Sequence, residues 1–120
     1  MKFSVSRDAL IKPLNLVAGV VERRQTLPIL SNILMSLESN RLSLTGTDLE
    51  VELVGRIDVQ SDGPDGDITV PARKLVDICK SLPDGVDIAF SVEDGKVSVR
   101  AGRSRFTLST LPAAEFPTVE

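Results

Sequence analysis

A chain of 120 residues that is 42% hydrophobic and carries a formal charge of −3 has the size of one ordinary domain and enough apolar side chain for its own core. It has no His, Trp or Tyr, which makes that core aliphatic and removes imidazole metal sites and His-dependent catalytic triads. The single cysteine, Cys79, excludes an intrachain disulfide and fits a reducing compartment.

Lys2 to Ser6 alternates polar residues with Phe3 and Val5, which predicts a strand. Ser6 is then placed to cap a helix with Asp8 in its first turn. Leu10, Leu14, Val17 and Val21 follow at helical spacing, with Ile11 widening the stripe. Pro13 interrupts that pattern, and Gly19 weakens its end. Glu22 to Gln25 reads as a polar loop. Strands are predicted at 32–38 and 41–45 around a Ser39-Asn40 turn, then at 49–59. SDGPDGD, 61–67, is a loop. A short strand, 68–70, precedes a helix over 72–82 with Leu75, Ile78, Cys79 and Leu82 inward. Strands at 86–92 and 96–101 flank Asp94-Gly95, a hairpin signal, and a last strand spans 105–110. The tail LPAAEFPTVE has no periodicity and reads as the start of a linker, 111–120.

The order is β-α-β-β-β given twice. SLESNRLSLTGTDLEVEL (36–53) can be laid over SVEDGKVSVRAGRSRFTL (91–108) at an offset of 55. Ser36 then meets Ser91, Arg41 meets Lys96, Val51 meets Phe106 and Leu53 meets Leu108. The expected fold is α+β: a duplicated β-α-β-β-β unit with two helices side by side on antiparallel sheets, related by a pseudo-twofold axis.

The charge is uneven. Residues 7–24 carry four basic against two acidic side chains, and residues 72–82 three against one, so the helices are basic on an acidic chain. Side by side they would present a face that attracts a polyanion through its phosphates; ordinary solvated helix faces are the plainer account of the same pattern. Neither helix has an aromatic residue to stack on a base, which favours duplex backbone over single strands.

Asp48, Glu50 and Glu52 alternate with Leu49, Val51 and Leu53, and the simplest reading is the solvated face of a half-buried strand. A hard-cation site, hence a carboxylate-dependent metal hydrolase, is the alternative. Phosphate-loop, dinucleotide and nucleophile-elbow motifs are absent, and Cys79 lies among Leu75, Val76 and Ile78 as a structural thiol. GRSRFTLSTL forms a terminal strand with Arg103 and Arg105, an edge either covered by its own chain or used for pairing with another chain or copy. MKFSVSRDAL is too charged for a signal peptide, and no apolar run suits a membrane helix, so a cytoplasmic protein is expected.

MKFSVSRDALIKPL, RRQTLPILSNIL, LTGTDLEVEL, TVPARKLVDICKSLP and GRSRFTLSTLPAAEFP together resemble the N-terminal domain of the bacterial replicative sliding clamp family, the β subunit of DNA polymerase III. The resemblance runs the whole length. It implies a DNA-clamp domain over 1–120, the first of three like domains, in a homodimeric ring around double-stranded DNA that acts as a replication processivity factor. It implies no catalysis and no cofactor or metal. Arg24 and Arg73 match positions that contact DNA, with Arg7, Lys12 and Lys80 as further positive lining. Lys74, Arg103, Arg105, Phe106 and Leu108 match the face that meets the other subunit. Polymerase and clamp loader would bind through later domains. Glu22-Arg23 departs from the glycine-rich loop common in the family.

Overall fold

A computed structural model describes residues 1–21 and 28–117. The elements run β1 (Lys2–Ser6), α1 (Arg7–Ala18), a 3-10 turn (Pro28–Ser31), β2 (Asn32–Glu38), β3 (Arg41–Thr47), β4 (Glu52–Asp58), β5 (Gln60–Ser61), β6 (Gly66–Pro71), α2 (Ala72–Ser81), β7 (Asp87–Glu93), β8 (Lys96–Ala101), β9 (Ser104–Ser109) and a 3-10 turn (Ala113–Glu115). The alternation in β1, β2 and β8 translates directly into strands, and Ser6 caps α1 by accepting the Ala9 N–H at 3.1 Å.

One sheet has the order β5-β1-β7-β8-β9, the other β4-β3-β2-β6, and every pairing is antiparallel. The first strand of each half has therefore crossed into the other half's sheet. β1 pairs with β7, and β6 pairs with β2. This reciprocal exchange is the pseudo-twofold expected from the repeat. Both halves feed one core. Leu10 and Leu14 of α1, Ile33, Leu42 and Leu44 of one sheet, Ile88 and Val99 of the other, and Leu75 of α2 are fully buried in it. Phe3 and Phe90 stack across β1 and β7 with centroids 4.8 Å apart. A core that joins both sheets to both helices makes the chain a self-sufficient folding unit.

The repeat offset of 55 aligns β2 with β7 and β3 with β8 but fails in the last strand. Leu44 stands opposite Gly55 as Val99 stands opposite Phe106, so Phe106 is equivalent to Gly55 and not to Val51, and Leu108 to Ile57 and not to Leu53. The first hairpin has a longer turn. Residues 49–51 are not strand: Leu49 has φ of 83°, and the Asp48 N–H donates to the Val51 carbonyl at 3.2 Å. The predicted strand 49–59 is thus a turn followed by β4 and a short β5.

Pro13 lies inside α1, where it removes one helical hydrogen bond. It is accommodated because its ring faces glycine. A Cβ on Gly55 would stand 3.0 Å from the Pro13 Cβ. Gly46 is tighter still, since a Cβ there would stand 2.7 Å from the Val17 carbonyl oxygen and 2.9 Å from Val17 Cγ1. α1 therefore rests directly on the backbone of β3 and β4. Gly46→Ala would gain a few tenths of a kcal/mol by restricting the unfolded chain, but the clash with helix backbone outweighs that. The expected result is a net loss of about 1–3 kcal/mol, read as a lower urea midpoint at unchanged m-value.

The tail does not run free over its described part. Leu111 and Thr69 exchange backbone hydrogen bonds of 3.1 and 3.2 Å, and the buried Thr69 hydroxyl links Asn32 to the Leu111 carbonyl. Phe116 packs with Ile29 and Leu30 in a second small core. Residues 111–116, expected as the start of a linker, are thus docked on the domain. Among the described residues no helix is long and apolar enough to cross a membrane.

Candidate functional site

α1 and α2 lie side by side, and a groove of about 490 Å³ runs between them. α1 lines it with Asn15, Ala18 and Gly19, α2 with Ala72, Arg73, Val76 and Lys80, and the 3-10 turn with Ser31. The helical repeat explains why Arg73 and Lys80 share this edge: residues seven apart lie two turns apart on one stripe. Leu75 and Cys79 anchor the opposite side in the core. Lys74 is exposed on the flank away from α1, and Lys12 is exposed on α1 one turn before Asn15.

The electrostatics follow from which cations are already paired. Among the described residues the ion pairs are Arg7 with Asp8, Arg7 with Asp84, and Arg41 with Asp58. Lys12, Arg73, Lys74 and Lys80 take part in none of them. Four exposed cations on two adjacent helices can neutralise phosphates at little cost in lost intramolecular contacts. α2 begins at Pro71 without a side-chain cap, so its first N–H groups add positive potential at the same end as Arg73.

Arg7 stands apart from this set. Its Nε–H donates to the Cys79 carbonyl at 3.1 Å, and its Nη1 lies 2.9 Å from Asp84. The Asp8 carboxylate accepts the Gly85 N–H at 3.2 Å, and the Arg7 N–H donates to the Val86 carbonyl. Arg7 ties the start of α1 to the end of α2, and only a small part of its side chain is exposed. It acts as a strut between the helices. Its partners lie more than seventy residues away, which no local pattern displays. Arg24, the other arginine singled out from the sequence, lies outside the described residues, as do Glu22, Arg23 and Gln25.

The acidic stretch is not one strand face. The Asp48 carboxylate accepts the N–H of Val51 at 2.8 Å and of Glu50 at 2.9 Å, and these bonds hold its pKa below the usual carboxylate value. The Thr47 hydroxyl accepts the Leu49 N–H and donates to the Val51 carbonyl. Asp48 is a turn-former, Glu50 sits in the turn, and only Glu52 belongs to β4. Leu49, Val51 and Leu53 are not an inward face either; they are 53%, 49% and 40% exposed. Nothing in this geometry converges the three carboxylates, and among the described residues no three Cys, Asp or Glu side chains gather as a metal cluster. Cys79 is fully buried and its thiol is pushed up to about 11 by burial, which makes it inert at neutral pH.

β9 closes one sheet as an edge strand. Arg103 sits in the hairpin turn beside Gly102, whose φ is 58°, and Arg105 and Thr107 face solvent. Leu108 is buried in the core and Phe106 is half-buried against it. The apolar side chains of this strand are thus covered by their own chain, while its outer backbone groups end the ladder.

The whole chain, residues 1–120, matches the family model described as DNA polymerase III beta subunit, N-terminal domain. A beta sliding clamp of Pseudomonas aeruginosa is 68% identical over 120 residues, and one of Escherichia coli 52%; each alignment covers 100% of this chain and 33% of the relative. Among solved structures, a DNA polymerase III subunit beta sliding clamp from P. aeruginosa superposes with a TM-score of 0.96 at 68% identity, over 100% of this chain and 32% of that one. The pol III beta of Caulobacter crescentus gives 0.96 at 48% identity, with the same coverage. The chain spans about a third of the length of these relatives.

Proposed function

The chain belongs to the DNA polymerase III beta subunit family, whose N-terminal domain it matches from end to end, and from that premise we propose that it is the first of three like domains in a ring that encircles duplex DNA and tethers the replicative polymerase. The observation that carries this reading is the pair of adjacent helices with four unpaired, exposed cations on a chain of net charge −3. Such a layer meets phosphates without reading sequence, which suits a protein that must slide. Retention then comes from topology, because a closed ring cannot leave DNA sideways. The role is that of an accessory subunit without catalytic groups, in the cytoplasm.

In this reading Arg73 and Lys80 contact the backbone from the groove edge, Lys12 adds to the positive lining, and Arg24 joins them on the strength of the resemblance. Arg7 supports the surface by holding the helices together. Lys74, Arg103, Arg105, Phe106 and Leu108 meet the other subunit of a homodimer, with the β9 edge extending a sheet across the boundary. Residues 111–120 lead into the next domain, and polymerase and clamp loader dock on later domains.

The test uses a full-length clamp chain carrying this domain, loaded on nicked circular DNA with its loader and ATP. Linearising the DNA should release the protein, since a ring slides off a free end. Retention on the linear form would mean that direct contacts hold it, and the topological mechanism would have to be given up.

A further inference from the structure

Two strands end the two sheets, β4 in one and β9 in the other, and they are opposite in character. The segment from Arg100 to Ser109 contains three arginines, Arg100, Arg103 and Arg105, and no acidic residue. The segment from Asp48 to Asp58 contains Asp48, Glu50, Glu52 and Asp58 against Arg56 alone. Between the halves of a pseudo-symmetric domain this is a break in symmetry, and it coincides with the longer turn that precedes β4.

That turn also changes the apolar surface. Among the described residues the exposed large apolar side chains are Leu16, Leu49, Val51, Leu53 and Val54. Four of the five lie in or beside the β4 turn. The fifth is close by: Pro13 and Leu16 share one flank of α1, and Pro13 is the residue that abuts Gly55 of β4. Leu53 lies on the same face of β4 as Gly55. A run of exposed apolar side chains along a free strand edge, rimmed by carboxylates, is the kind of surface that soluble domains keep covered. Leu49 sits there at φ of 83°, a conformation that a bulky residue adopts only where the surroundings impose it. The turn is held in place by the Asp48 and Thr47 hydrogen bonds, so the patch is preformed.

We propose that the β4 edge and its apolar patch are the receptor for the arginine-flanked β9 edge of a second copy of this chain, so that the domain associates with itself head to tail. Strand pairing supplies the ladder, the apolar patch is buried, and Arg103 and Arg105 meet the carboxylates around β4. The contact is heterologous: each copy uses one edge to give and the other to receive. An isologous contact is disfavoured because β4 against β4 would oppose acids to acids, and β9 against β9 arginines to arginines. This inference rests on the two edges and not on the DNA reading, and it can hold or fail independently of it.

Sedimentation velocity on the chain decides it. The weight-average mass should at least double between about 5 and about 500 µM, the range of a small, partly polar interface. Val51→Lys/Leu53→Lys blocks the receptor edge, and Arg103→Glu/Arg105→Glu blocks the donor edge; all four side chains are exposed, so folding is retained. Each variant alone should stay monomeric at the same concentrations. An equimolar mixture should form a heterodimer and nothing larger, because each partner still offers one good edge. Leu16→Lys, on the helix and away from the strand ladder, should weaken association in the same direction and guards against a misfolded β4 variant. A wild-type chain that is monomeric throughout overturns the proposal. So does either blocked variant that still dimerises alone, since that would be an isologous contact.

Discussion

Replacing Leu75 by Ala should lower the unfolding free energy by about 3–5 kcal/mol, most of the margin of a domain this size. Leu75 is completely buried, in a helix of only ten residues whose inward face also carries Ala72, Val76, Ile78 and Cys79. The cost has two parts, the lost transfer energy of the deleted carbons and the cavity left behind. The cavity will not collapse easily, because α2 is pinned at one end by the hydrogen bond from Arg7 to the Cys79 carbonyl. Urea unfolding followed by far-UV circular dichroism measures the effect; the absence of Trp and Tyr leaves fluorescence little to report. A loss below about 1 kcal/mol would mean that α2 repacks freely, and that the groove edge carrying Arg73 and Lys80 is not rigidly held.

The second large effect concerns charge. Arg73→Ala/Lys80→Ala in a full-length clamp should reduce the slope of log affinity for duplex DNA against log salt by about 2, since each phosphate contact contributes roughly 0.9. If affinities converge near 1 M salt, that corresponds to a loss on the order of 30-fold at 150 mM. Neither side chain is in an ion pair or in the core, so the domain's urea midpoint should stay where it is. Arg7→Ala makes the contrast. It should lower the midpoint through the lost strut while changing the salt slope little. An unchanged slope in the double variant would remove these two residues from the DNA contact.

Much of the fold is legible in the sequence because the local signals agree with the global arrangement. Asn32–Glu38 and Lys96–Ala101 are alternating strands bounded by turn residues, and both appear with those bounds. Where the reading fails, a local pattern has two physical solutions. Alternating acids and leucines fit a half-buried strand, but Thr47 and Asp48 are also residues whose side chains satisfy nearby backbone N–H groups and stop a strand. The turn wins, and the alternation ends up facing solvent. The tail was illegible for another reason. Leu111 and Phe116 have no periodicity of their own; they dock on Thr69 and on Ile29 and Leu30, far away in sequence. The groove edge is readable from helical spacing, since Arg73 and Lys80 fall two turns apart. The role of Arg7 is not, because the sequence does not show that Asp84 reaches it.

The exchange of first strands between the sheets has a consequence for how the chain is made. Lys2–Ser6 leaves the ribosome first, yet its main partner is Asp87–Ser91, near the far end of the chain. At roughly 5–20 residues per second, the interval between the two is on the order of 10 s. Through that interval Phe3 and Val5 have no sheet to enter, apart from the two-residue contact of β1 with β5. β2, β3 and β4 can form a meander meanwhile, but the core they share with the other sheet stays open. The nascent domain is therefore a natural client for chaperones that hold apolar segments, and it closes late, in one step, when its second half arrives.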